Sequence, residues 1–84
     1  MTRVSTRNAS TCIGSRREFR TSGSLRGVWQ GDRYAVISYS TPIAVWENGV
    51  WQVASRRYSV TTSRHQTAVR CGVMGEVQTV TEIR

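Results

Sequence analysis

The sequence Ile43-Ala44-Val45-Trp46-Glu47-Asn48-Gly49-Val50-Trp51-Gln52-Val53, residues 43–53, decides the fold. Two runs rich in β-branched and aromatic residues flank Asn48-Gly49, and both members of that pair tolerate the positive φ that a type I′ hairpin turn requires. A two-residue loop sets the register: Glu47 opposite Val50, Trp46 opposite Trp51, Ala44 opposite Val53. Ala44, Trp46, Trp51 and Val53 then share one face, and the face carrying Glu47, Val50 and Gln52 is the wetter one. A cross-strand tryptophan pair could stack on bases, but it more often builds core, where its large apolar area counts most.

Outward from the hairpin, Thr41-Pro42 kinks the chain, since proline cannot donate to a ladder. Residues 34–40 are apolar on both faces at their centre, as a mid-sheet strand must be. Gly31-Asp32 fits a two-residue turn that sets Trp29 opposite Tyr34, and residues 25–30 and 17–22 read as further strands around a Ser22-Gly23-Ser24 turn. Downstream, the period changes. Ser63 as N-cap with Gln66 three positions on makes a capping box, and Gly72 or Gly75 ends the helix. His65, Ala68, Val69 and Gly72 form a narrow stripe with Arg64 and Arg70 on its flanks. Residues 76–83 alternate again as a last strand. Residues 1–15 are polar with isolated apolar side chains and read as a flexible N-terminal arm. The expectation is therefore one α+β domain over 16–84, a twisted antiparallel β-sheet of five or six strands with one short helix, residues 62–71, packed on the aromatic face. No internal repeat is evident.

The chain has 84 residues, 38% of them hydrophobic, enough for one core if the three Trp, three Tyr and Phe19 lie inside. Its net charge of +7 arises from 12 arginines, with no lysine, against 5 acidic residues. Such a charge draws polyanions, nucleic acid first, although an arginine-only basic set also matches the codon usage of a GC-rich genome. No apolar run of about 18 residues is present to span a bilayer, and residues 1–30 lack the apolar region of a signal peptide. A soluble, intracellular protein with no membrane contact is expected. Cys12 and Cys71 have neither the paired spacing of a zinc site nor the number of a disulfide framework, so reduced thiols and no metal or other cofactor are expected.

Two motifs carry a resemblance. Ser38-Tyr39-Ser40-Thr41-Pro42-Ile43-Ala44, and Tyr58-Ser59-Val60-Thr61-Thr62-Ser63-Arg64-His65 opening the helix, resemble a family of small bacteriophage and plasmid proteins catalogued as a domain of unknown function. The likeness runs over residues 33–66 and singles out Tyr39, Thr41, Tyr58, Thr61, Thr62 and His65, without assigning them a role. It implies an accessory protein acting in the cytoplasm of a bacterial host, an actinobacterial one given the arginine-only basic set. It implies no biochemical activity.

His65 could serve as a general base beside Tyr58 or Thr62, but no acidic residue is placed to orient it and no nucleophile motif surrounds it, so a packed histidine bonded to the cap or to a strand carbonyl is expected. Thr61, Thr62 and Ser63 could hold a phosphate at a helix N-terminus, or simply cap the helix. Arg16, Arg17 and Arg20, with Arg56 and Arg57, are the densest basic clusters and the candidate nucleic-acid-binding residues, provided they converge on one side. No helix carries an arginine stripe fit for a major groove. Three functions follow: non-specific nucleic-acid contact through these arginines, a module or inhibitor that binds a host protein, and, least supported, a ribonuclease-like toxin using Arg, Tyr and His65.

Overall fold

In the computed structural model the chain runs β1 (Thr2–Arg3), α1 (Thr6–Gly14), β2 (Phe19–Arg20), β3 (Leu25–Gln30), β4 (Arg33–Ser38), β5 (Thr41–Glu47), β6 (Val50–Ala54), α2 (Val60–Gly72) and β7 (Glu76–Val80). The structure describes residues 2–21, 24–55, 60–73, 76–81 and 83. The α+β architecture is as the patterning predicts. Asn48 and Gly49 take φ of 55° and 79°, and the hairpin they close has the expected pairs Glu47↔Val50, Trp46↔Trp51 and Ala44↔Val53. Gly31, at φ 65°, turns the chain so that Trp29 pairs with Tyr34. Pro42 stays within β5. A bulge opposite Val36 and Ile37 absorbs it, with Ile37 pairing Pro42, Val36 pairing Ala44 and Ile43 left over to enter the core.

One sheet follows chain order, β1 to β7, with β4 at its centre. All neighbours are antiparallel except β1 with β2 and β6 with β7, so the chain begins and ends with a β-α-β unit. Those two units run the same way and step across the sheet in the same direction. Crossovers of one hand then put both helices on the same face. The packing agrees: Ala9 and Ile13 of α1 and Ala68 and Val69 of α2 enter a single core with Phe19, Leu25, Tyr34, Val36, Ile43, Ala44, Trp51 and Val53. The other face carries a smaller cluster, Ala35, Ile37 and Val45, against which Val28 and Ile83 pack.

Three expectations need correction. The stretch read as an arm contains β1 and α1: Ser5 caps the helix by accepting from the Asn8 N–H at 3.2 Å, and Ala9, Cys12 and Ile13 recur at helical spacing on the buried side. That stripe is only three residues wide in a segment of poor helix formers, so its helicity comes from packing. Second, the sheet has seven strands, because β1 adds to the six that patterning can find. Third, α2 starts at Val60, which puts Ser63 inside the helix and dissolves the capping box; Gln66 instead donates from Nε2 to the Ala54 carbonyl at 3.0 Å.

Candidate functional site

The first basic cluster is divided by the sheet. Helix α1 ends on Ser15 with Arg16 in the left-handed region at φ 52°; the Arg16 N–H donates to the Ile13 carbonyl and the Arg17 N–H to the Cys12 carbonyl, a Schellman ending with arginine where glycine is usual. Arg16 is held there from outside. Its carbonyl accepts from Trp29 Nε1 at 3.0 Å, and its guanidinium lies 4.6 Å over the Trp46 ring. Next to it the Arg17 carbonyl accepts from the Tyr34 hydroxyl at 2.6 Å, and Glu18 accepts from the Trp29 N–H at 3.0 Å. Burial, and secondarily Cys12 and Glu18, push the Tyr34 phenol above its ordinary range, so it remains a donor. Trp29, Tyr34, Trp46 and Trp51 meet edge to face, with centroids 5.5–6.0 Å apart, so the tryptophan hairpin pair is core on one side and a seat for Arg16 on the other. The Arg17 side chain is exposed.

Arg20 lies on the opposite face. Phe19 enters the core, so its neighbour Arg20 points through the sheet to the face without helices. There the ladder places Arg3 beside Arg20 and Arg20 beside Arg26, a row of three exposed arginines on three adjacent strands. Among the described residues none of the three forms an ion pair. Arg33 belongs to the same face by alternation with buried Tyr34. Arg3 and Arg26 escape sequence reasoning because only the strand register brings them to Arg20. The single available signal is that each follows or precedes a core residue by one position. Arg56, Arg57 and Tyr58 lie outside the described residues.

The other motif residues gather at the β4–β5 turn. Tyr39 occupies the first central position at φ 58°, a strained setting for a bulky side chain, and is 53% exposed. Thr41 pairs with Ser38 across the turn. Ser38 and His65 are both buried and hydrogen-bonded, Oγ to Nδ1, at 2.7 Å, and the Tyr39 ring lies 6.3 Å from the imidazole, centroid to centroid. Burial lowers the His65 pKa below the ordinary histidine value, which favours the neutral ring. The expected packed histidine thus bonds a strand hydroxyl in place of a cap or a carbonyl. Ser38 stands in the first motif, which was the available signal for this partner. Thr61 and Thr62 sit in the first turn of α2. The Ser38 hydroxyl and the His65 Nδ1 are thus joined to each other beneath the surface.

Among the described residues there is no group of three or more His, Cys, Asp or Glu able to hold a metal, and no helix is long and apolar enough to cross a membrane. Cys12 and Cys71 are both free thiols. No curated protein and no solved structure matches the chain. Residues 3–82, nearly the whole length and including both β-α-β units, match one family, and the chain belongs to it: DUF8033, a family of unknown function.

Proposed function

We propose that the protein is a non-catalytic accessory protein that contacts nucleic acid through its backbone phosphates, holding them on the open face of the sheet with Arg3, Arg20 and Arg26. One observation carries this reading: three arginines in register on adjacent strands, all exposed, without a carboxylate among them. Like charges directly opposite one another destabilise a sheet, so such a row needs an external anion to be favourable. The net charge of +7 supports it at long range. The described aromatic side chains of the sheet all turn toward the helices, so contact is led by phosphates and indifferent to base sequence. A phage or plasmid origin and action in the bacterial cytoplasm rest on the motif resemblance. The burial of His65 and Ser38 argues against the ribonuclease-like reading.

Fluorescence anisotropy with labelled duplex and single-stranded DNA across a salt series tests this. Binding is expected to weaken steeply with salt, and replacing Arg3, Arg20 and Arg26 by Gln is expected to flatten the log–log slope by about 0.9 per lost duplex contact. Arg70→Gln, on the helix side, is the charge control and should change the slope least. Absence of binding at low salt, or equal loss from the control, rejects the proposal and leaves recognition of a host protein as the better account.

A further inference from the structure

Strand β7 is the last of the sheet, and among the described residues nothing pairs with its outer side. Its five residues, Glu-Val-Gln-Thr-Val, contain no proline, and its pairing with β6 runs in unbroken register from Val50↔Glu76 to Ala54↔Val80; the one charge is Glu76 at its start. These are the devices by which natural edges avoid partners, and their lack marks an edge built to be paired. Which main-chain groups are free follows from one bond. The Val80 carbonyl accepts from the Ser55 N–H at 2.7 Å, so Val80 faces β6. A strand residue directs its N–H and C=O to the same side and its neighbour directs them to the other. Gln78 and Glu76 therefore also bond β6, while the N–H and C=O groups of Val77 and Thr79 point outward.

The geometry points to a homodimer in which β7 pairs antiparallel with β7 of a second copy about a two-fold axis at Gln78. That register alone uses all four free groups of each strand: Val77 exchanges both bonds with Thr79 of the other copy, and Thr79 with Val77. The side chains agree with it. Val77, 40% exposed, falls beside a β-branched threonine on the helix side, extending across the axis a groove lined by Val53, Ala54, Arg70, Val73, Val77 and Thr79. Glu76 comes into register with Val80, so within the β7 ladder no like charges stand opposite one another. The arginine row stays clear of the axis, since Arg3, Arg20 and Arg26 lie on β1, β2 and β3 at the far end of the sheet, and of the described arginines Arg70 alone lines the groove beside β7. Ile83, three positions past β7, packs on the Ala35, Ile37 and Val45 cluster of the open face. This inference does not depend on nucleic-acid binding.

Sedimentation velocity over a dilution series reads it directly. The wild type should approach twice 9.5 kDa at high concentration. Thr79→Pro removes only an outward N–H and should yield a monomer with an unchanged far-UV circular dichroism spectrum; Val77→Lys keeps the N–H, places a charge at the edge, and should do the same. The register is read separately. With Cys12 and Cys71 replaced by Ser, Gln78→Cys should form a symmetric interchain disulfide without reductant, because position 78 then faces itself as a close, non-hydrogen-bonded pair. A wild type that stays at 9.5 kDa at every concentration, a dimer that survives both folded edge variants, or a Gln78→Cys chain that fails to cross-link each overturns the proposal.

Discussion

At the scale of single residues, the tightest constraint is Gly27 in β3. A Cβ there would run into the Tyr34 hydroxyl and the Phe19 ring, both buried, and that hydroxyl is anchored to the Arg17 carbonyl. Neither neighbour can retreat, so Gly27→Ala should cost about 2 kcal/mol, read as a lowered urea midpoint at constant m-value. His65 makes a second prediction, on pH. Its pKa is lowered in the folded protein while the unfolded chain keeps about 6.5. Between those values the unfolded state binds the extra proton, so stability rises with pH there. The contribution is complete above about 6.5 and drains away as pH falls toward the folded value. Urea midpoints measured down a pH series should decline through that window for the wild type. His65→Gln should be less stable at neutral pH and lack that part of the decline; an identical slope in both proteins would locate the titration elsewhere.

The elements are joined most closely where α1 meets α2. Gly72 admits the Ser10 carbonyl and Ile13, Gly14 approaches the Gly72 carbonyl, and the Ser10 hydroxyl donates to the Ala68 carbonyl at 2.8 Å. A nine-residue helix of α1's composition is not stable in isolation, so this contact and the burial of Ala9 and Ile13 hold it. Gly72→Val should therefore part the helices and lower stability by about 1–3 kcal/mol, with increased amide exchange in residues 6–14. Ser10→Ala should cost about 1 kcal/mol in the same melt. Were residues 1–15 a flexible arm, neither change would move the midpoint.

At the scale of the whole molecule, the two faces of the sheet do different things. One is closed by the helix pair and supplies the core; the other is open, with Arg3, Arg20 and Arg26 in a row and Ile83 over Ala35, Ile37 and Val45. The row should set stability against binding. Arg20 has a like charge on each side, so Arg20→Gln should raise stability by roughly 0.2–1 kcal/mol at low salt while weakening DNA binding. Added salt screens the same repulsion, so the melting temperature should rise with salt more in the wild type than in the variant. A lower melting temperature for Arg20→Gln at low salt would mean that the row is compensated by partners within the fold.

The hairpin registers at Asn48-Gly49 and Gly31-Asp32, the central strand and the existence of α2 are local: each depends on turn chemistry or on alternation within a few residues, and those act before any distant contact forms. The rest is set by distant parts of the chain. Helix α1 has too few apolar residues to announce itself and exists because α2 and the sheet cover it. The arginine row joins residues 3, 20 and 26, and one slip of register would send them into the core, so linear spacing could not reveal it and favoured the adjacent Arg16, Arg17 and Arg20. Ser38 finds His65 across 27 residues for the same reason. Periodicity states which way a side chain faces within its own strand; which side chains stand beside it is decided by strand order and crossover hand, and those are properties of the assembled sheet.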